Sequence, residues 1–248
     1  MQIPTRPLRK LVLILVLSSC AATAHAQSES PFVFDAAFGV DVSINGNINS
    51  GAIGQLQGQT AAILPNSYGD VYGTGLLFRF GGGYVLDDDV SELRGVFTYQ
   101  SVDANLVRLG DLGPSTLYGQ YGDHKTLSLD FGYRRYVPLG GDKVRLYGEG
   151  TVGIAFIDEI DVLLAAPQAN IVFEQTDFYD QTAAFTLGAS VGVLFPVAER
   201  LDVTAQVGLR RISGLADVDQ FEGTGLEDIN DDSARLTFPI VMGVRFRF

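Results

Sequence analysis

The chain has 248 residues, of which 46% are hydrophobic, with 29 glycines, 16 phenylalanines, 10 tyrosines and no tryptophan. Its formal net charge of −12 excludes non-specific nucleic-acid binding, which requires a basic face that displaces counterions. Abundant glycine and aromatic residues favour strands and turns, because rings suit a pleated surface.

The first 26 residues predict a cleaved export signal. Three cations precede a short apolar run, LVLILVL, and Ala24-His25-Ala26 then matches an A-x-A cleavage site. The run is too short for a membrane-spanning helix, which needs ~20 apolar residues. An alternative stays open, because Leu17-Ser18-Ser19-Cys20 resembles a lipobox that would lipidate Cys20. Cleavage after Ala26 would leave a mature domain, residues 27–248, without cysteine or disulfide.

Beyond this signal, apolar and polar residues alternate with a period of two in eight successive segments. No run of about 18 apolar residues occurs there, so no transmembrane helix is predicted. A period of two is that of a β-strand, whose successive side chains point to opposite faces. The segments lie, in chain order, at residues 31–44, 71–86, 91–101, 127–137, 144–156, 182–195, 201–210 and 234–248.

Each segment has one apolar face, and the other face is polar or charged. The apolar faces include Phe38, Tyr72, Phe97, Leu129, Ile154, Phe185, Val207 and Phe238. The opposite faces carry Asp35, Asp41, Arg79, Glu92, Arg94, Asp130, Arg134, Arg145, Glu149, Asp202, Arg210, Arg235, Arg245 and Arg247. Because hydrocarbon would exclude these charges, we expect the apolar faces to meet lipid and the charged faces to line a lumen.

The connections between the segments alternate strictly between short and long. The short ones lie near residues 87–89, 139–142 and 197–200, and the long ones at about 45–70, 102–123, 157–180 and 213–233. Outer-membrane barrels have short periplasmic turns and long outer loops. The sequence therefore predicts an all-β fold, an eight-stranded antiparallel up-and-down transmembrane β-barrel.

Aromatic residues are expected to form two girdles where the barrel meets the lipid headgroups. The periplasmic girdle would contain Phe32, Phe34, Tyr84, Tyr133, Phe195, Phe246 and Phe248. The outer girdle would contain Tyr72, Phe97 and Tyr99.

Three segments carry a family resemblance: LSLDFGYRRYV, YGEGTVGIAFI and the terminal VRFRF. They resemble the outer-membrane protein A-like and opacity-protein group of small barrels. The resemblance implies residence in a bacterial outer membrane, and it implies that Phe246 and Phe248 belong to the signal read by the barrel-assembly machinery. The peptidoglycan-binding domain of some members is not expected, because the sequence stops at the eighth strand.

The inward charges predict an ion-pair network that plugs the lumen, since eight strands leave room only for side chains. We expect its members to be Arg79, Arg94, Asp130, Arg134, Arg145, Glu149, Arg210 and Arg235. The alternative is a narrow ion-conducting path whose ion pairs exchange partners.

The third and fourth outer connections are rich in aspartate and glutamate and contain no lysine or arginine. We interpret them as solvated surface loops, with recruitment of divalent cations as the alternative. An EF-hand at Asp228 is excluded, because Ser233 replaces the turn glycine and Pro239 stands where the bidentate glutamate belongs. Lys125 and Arg211 face outward near the outer leaflet, where they either contact lipopolysaccharide phosphates or simply snorkel.

The third outer connection is partly apolar, at residues 162–166 and 171–173. This pattern indicates that two barrel strands extend above the membrane as a hairpin with Pro167 in its turn. Alternatively, a protruding strand edge there binds another protein by strand addition.

Catalysis is not predicted. The mature chain has one histidine, His124, and Thr126 and Ser128 share its face, but no acidic partner that would orient the histidine is identifiable. No cofactor motif or metal cluster occurs.

The sequence thus favours a non-enzymatic outer-membrane barrel with a structural or surface-interaction role. A small channel is the alternative, and a lipid A-modifying enzyme is a third hypothesis. The expected partners are outer-membrane lipid, lipopolysaccharide and the barrel-assembly machinery, and the sequence identifies no extracellular partner.

Overall fold

A computed structural model describes residues 30–87, 89–138, 144–173, 175–218, 221–230 and 233–248. The predicted signal and its two processing alternatives, at Cys20 and Ala26, lie outside the described residues. The strands are β1 (Phe32–Asn45), β2 (Asn47–Asn49), β3 (Ala52–Leu56), β4 (Gln59–Ile63), β5 (Asn66–Ser67), β6 (Gly75–Val85), β7 (Ser91–Val102), β8 (Leu106–Leu112), β9 (Ser115–Tyr121), β10 (His124–Pro138), β11 (Arg145–Ile157), β12 (Ile160–Ala166), β13 (Ile171–Val172), β14 (Thr176–Asp180), β15 (Thr182–Ala198), β16 (Leu201–Ile212), β17 (Ala216–Asp217) and β18 (Arg235–Arg247).

Short helical segments interrupt the strands. An α-helix, α1, covers Tyr68–Val71 and begins at a capping box formed by Ser67 and Asp70. Short 3₁₀ helices cover Pro167–Ala169 and Glu227–Asn230. Within the described part of the chain, no helix is long and apolar enough to cross a membrane.

Eight of the strands close into an antiparallel barrel in the order β1-β18-β16-β15-β11-β10-β7-β6. Closure occurs at β1, which pairs with both the last and the second barrel strand, so that Phe38 lies opposite Met242 on one side and Phe78 on the other. Each barrel strand pairs with the barrel strands that precede and follow it along the chain, and the first and last barrel strands pair with each other. The predicted eight-stranded up-and-down barrel is confirmed.

The wall has its apolar side chains outside and its charged side chains inside, which is the reverse of a water-soluble protein. Outward apolar side chains are largely exposed, including Phe38 at 64% and Phe131 at 63%. Inward charged side chains are buried, including Arg235 at 2% and Glu149 at 5%. An apolar exterior around an ionic interior is stable only in an apolar surrounding, so the wall is built to contact hydrocarbon.

Outward cations bracket the apolar wall at two heights. On β10, Lys125 and Arg135 are exposed on the outer face with only apolar residues between them on that face. Ten residues at ~3.4 Å each, tilted by ~40°, rise about 26 Å, which matches the ~25 Å apolar band of outer-membrane barrels. On β16, Arg211 lies at the upper boundary, and Arg200 immediately precedes the strand at the lower boundary.

The four long connections form a second, folded layer that we call the cap. Its main sheet has the strand order β17-β14-β12-β9-β8-β4-β3, with β13 paired to β12, and β2 and β5 form a separate ribbon. The fourth connection supplies edge strand β17 and also runs along the opposite edge, where Gln55 N–H donates to the Thr224 carbonyl at 2.7 Å. All four connections therefore interlock instead of projecting as separate loops.

The cap has a hydrophobic core of its own. Its buried side chains are Ile48, Ala61, Ile63, Tyr68, Val71, Tyr72, Val102, Leu109, Leu112, Leu117, Tyr121, Ile160, Val162, Leu164, Ala166, Phe178, Tyr179, Phe221, Leu226 and Ile229. Fully burying one such large aliphatic or aromatic side chain contributes about 1.5–3 kcal/mol. The interpretation of the third and fourth connections as solvated loops is therefore wrong in the described residues, because both supply side chains to this core.

Two local predictions also need correction. The second barrel strand begins at Gly75 and not at residue 71, because α1 turns the chain out of the wall, so Tyr72 is buried in the cap and does not belong to the outer girdle. The third connection does form a hairpin with Pro167 in its turn, but its strands β12 and β13 belong to the cap sheet and are not extensions of the barrel strands β11 and β15. However, β12 offers no free edge where Val162 pairs with both Tyr121 and Thr176.

Candidate functional site

The lumen network is centred on Glu149 of β11. Its carboxylate accepts hydrogen bonds from Arg134 Nε at 2.8 Å and pairs with Arg134 Nη2 at 2.6 Å. Arg94 and Arg79 approach the same carboxylate at 3.6 and 3.7 Å. Three guanidinium groups from β6, β7 and β10 therefore converge on one buried anion.

A second carboxylate, Glu92, continues the network toward the opposite wall. It pairs with Arg245 Nη2 at 2.9 Å and with Arg94 Nη1 at 3.6 Å, and it accepts a hydrogen bond from the Tyr136 hydroxyl at 2.5 Å. Asp35 adds a further pair with Arg94 at 2.9 Å. Because these residues come from six of the eight wall strands, β1, β6, β7, β10, β11 and β18, the network ties opposite sides of the barrel together.

Asp130 forms a separate cluster higher in the lumen. It pairs with Arg210 at 3.2 Å and accepts hydrogen bonds from Thr186 Oγ1 at 2.5 Å and Ser128 Oγ at 3.1 Å. The remaining space beside it is a cavity of about 30 Å³. Such a volume has room for about two water molecules.

Small residues in the wall make space for this plug. A Cβ atom at Gly83 would collide with the Glu92 carboxylate, and one at Gly192 would collide with the Tyr147 ring. Glycine at both positions leaves room for lumen side chains that approach the backbone closely.

Two predicted network members lie elsewhere. Arg145 is exposed at the periplasmic end of β11 and forms no ion pair with the described residues. Arg235 lies above the network, where its Nε donates to Ser43 Oγ at 2.9 Å. Parity alone could not distinguish these positions, because it gives the face of a strand but not the height at which a long side chain ends.

A compact aromatic layer lies at the outer end of the lumen. The His124 ring is 1% exposed and lies edge-on to Tyr68 and Tyr72, with centroids 6.1 and 5.6 Å away. Arg235 Nη1 lies 3.3 Å from His124 Nδ1, and its guanidinium carbon lies 5.4 Å from the Tyr68 ring centroid. Alternation could not predict this layer, because Tyr68 belongs to α1 and Tyr72 follows it directly, so neither residue lies on a barrel strand.

This environment bears on the catalytic hypothesis. His124 Nδ1 is 3.2 Å from Thr126 Oγ1, so a hydroxyl and a base do meet, but Thr126 is itself only 2% exposed. The cationic neighbour Arg235 lies where a triad would place an orienting carboxylate. In addition, no group of three or more metal-ligating side chains occurs in the ranges that the structure describes.

The two outward cations at the outer boundary differ in their surroundings. Lys125 Nζ lies 3.8 Å from the Asp123 carboxylate. Arg211 forms no ion pair with the described residues, and it lines a surface notch of about 360 Å³. At the other end of the wall, Phe246 and Phe248 are 43% and 51% exposed, and their recognition by the assembly machinery stays a prediction.

Comparison with known proteins yields likenesses in structure alone. No protein-family model matches the chain, and no curated protein matches it in sequence. Neisserial surface protein A has a TM-score of 0.44 at 15% identity, covering 90% of this chain and 100% of that one. OprG from Pseudomonas aeruginosa has a TM-score of 0.44 at 13% identity, covering 89% and 97%.

The outer-membrane protease OmpT from Escherichia coli has a TM-score of 0.46 at 8% identity, covering 91% of this chain and 100% of that one. At these values the likenesses carry no argument about activity. The strand pairing and the apolar exterior of the chain itself establish a barrel of the outer-membrane type, similar to small outer-membrane barrels.

Proposed function

We propose that this chain is a non-enzymatic integral outer-membrane barrel that is closed to solutes and holds a folded acidic cap outside the cell for contacts with other surfaces. The observation that carries the proposal is that two layers of packed side chains lie across the lumen. One layer is ionic and lies within the wall, and the other is aromatic and apolar and lies above it.

The ionic layer supports closure of the lumen. Its arginines and carboxylates pair across the lumen, and the cavity of about 30 Å³ beside Asp130 is too small for a hydrated ion to pass. Opening a path would require several buried ion pairs to separate at once, and breaking one such pair costs about 3–5 kcal/mol.

The cap adds an independent barrier. Tyr68, Tyr72 and His124 pack directly over the lumen, and the cap core lies above them. An ion entering from outside would have to displace packed apolar side chains, where charge is poorly solvated. These two barriers favour an anchoring function and argue against a channel.

The outer surface of the cap supports a function in contacts. Its exposed acids are Asp70, Asp103, Asp123, Asp158, Glu159, Asp177, Asp180, Asp217, Glu222, Glu227 and Asp228. The single cation of the outer connections, Arg108, pairs with Asp111 at 3.0 Å. Such a field attracts cationic surfaces and repels anionic ones, so its contacts weaken as ionic strength rises.

The test is planar-bilayer recording of the purified, folded protein, with an open porin in the same bilayer as positive control. We expect no steady conductance above that of the lipid. Steady unitary conductance would refute closure and favour the channel. Mass spectrometry of lipid A with and without the gene addresses the enzymatic alternative, and we expect identical acylation and phosphate patterns.

A further inference from the structure

The notch beside Arg211 lies at the outer rim of the barrel wall. It is bounded by the upper ends of β1, β16 and β18, and its lining includes Asn45, Asn47, Arg211 and Leu236. Its volume of about 360 Å³ lies within the ~300–1,000 Å³ range of small-ligand sites. It is separate from the lumen cavity, which other residues line.

The height of the notch is that of the lipid headgroups. Arg211 pairs in register with Leu236, and the next outward residues toward the periplasm on β16 are Leu209 and Val207, which belong to the exposed apolar wall. On the β1 side, Ile44 is 51% exposed immediately before Asn45. The notch therefore opens where hydrocarbon ends and polar headgroups begin.

The chemistry of the notch differs from that of the acidic cap around it. Arg211 is exposed and pairs with no described carboxylate, and the described residues that line the notch include no aspartate or glutamate. Asn45 Oδ1 accepts a hydrogen bond from Gly46 N–H at 2.7 Å, which orients this amide and leaves its NH₂ group as a donor. The notch thus presents a guanidinium and side-chain amides as donors.

We propose that the notch binds a phosphate group carried on the headgroup of an outer-leaflet lipid. A guanidinium suits this ligand because its planar fork matches two phosphate oxygens, and charge-assisted hydrogen bonds are roughly twice as strong as neutral ones. Lys125 also lies near the outer boundary of the wall but has a carboxylate partner, Asp123, so the structure assigns the site to Arg211. This inference does not depend on closure of the lumen.

The test uses the purified full-length barrel in detergent and measures lipid binding by native mass spectrometry. The probes are diphosphorylated lipid A, the same lipid after enzymatic dephosphorylation, and inorganic phosphate. We expect Arg211→Gln to weaken binding of the phosphorylated lipid about tenfold, as for loss of a hydrogen bond to a charged group. Binding of the dephosphorylated lipid is expected to be weaker and unchanged by the substitution.

Lys125→Gln is the matched control, because it removes one outward cation near the outer boundary of the wall but outside the notch. Heat-modifiable gel mobility verifies that both variants are folded. Equal losses in the two variants would show general attraction to cations and overturn the site. Equal binding of the two lipid forms would also overturn it, and inorganic phosphate binding as tightly as the lipid would overturn the assignment to a headgroup.

Discussion

Replacing Glu149 by glutamine removes the central carboxylate of the lumen network while keeping the side-chain volume. The network sets Arg79, Arg94, Arg134 and Arg245 against Asp35, Glu92 and Glu149, so the substitution leaves four cations facing two anions. Removing one partner of a buried ion pair costs about 3–5 kcal/mol, because the remaining charge stays desolvated. We therefore expect Glu149→Gln to lower the free energy of unfolding by about that amount.

The assay is reversible urea unfolding in lipid vesicles, followed by tyrosine fluorescence and gel mobility. The control is Asp111→Asn, which breaks the exposed pair with Arg108, and it is expected to cost less than about 1 kcal/mol. A loss below about 1 kcal/mol for Glu149→Gln would refute the reasoning, because the network would then be hydrated like a surface pair.

Three further predictions concern the wall and the cap. Phe131→Arg puts a cation near the middle of the apolar band and should cost about 2–4 kcal/mol in vesicles, whereas Phe131→Leu should cost much less; equal costs would contradict the assigned faces. Tyr72→Ala removes a buried ring and its hydrogen bond to the Gly122 carbonyl, so the cap should lose about 3–5 kcal/mol and become protease-sensitive while the barrel keeps its gel shift. Burial raises the pKa of Tyr121 and of Tyr179 in the cap, so their phenols stay protonated when those of unfolded chains ionise. The contribution of these two tyrosines to the free energy of unfolding is complete below pH ~10. Above that pH it falls by up to about 1.4 kcal/mol per pH unit for each tyrosine. Tyrosinate absorbance that appears only as the cap opens would verify this.

The barrel could be predicted from sequence because its two faces meet different media. Residues such as Phe131 and Phe238 face hydrocarbon while Arg134 and Arg235 face the interior, so alternation is strong on every wall strand. Each strand also pairs with its sequence neighbours, and connection length then fixes the topology.

The cap could not be predicted in the same way because its pairing is non-local. Strand β4 of the first connection pairs with β8 of the second, and β9 pairs with β12 of the third. Its strands are short, and the apolar run at residues 162–166 predicts a hairpin but does not reveal the partner strand β9 that it pairs with. The aromatic layer over the lumen was missed for the same reason, since Tyr72 meets His124 only after α1 has redirected the chain.

Thiol accessibility of the lumen tests closure most directly. Thr98 is buried and lines the small lumen cavity, whereas Gln120 is exposed on the cap. With Thr98→Cys in folded protein in vesicles, we predict no labelling by a charged, water-soluble thiol reagent, while Gln120→Cys labels fully. Rapid labelling of the cysteine at position 98 in protein that keeps its folded gel mobility would contradict the closed lumen.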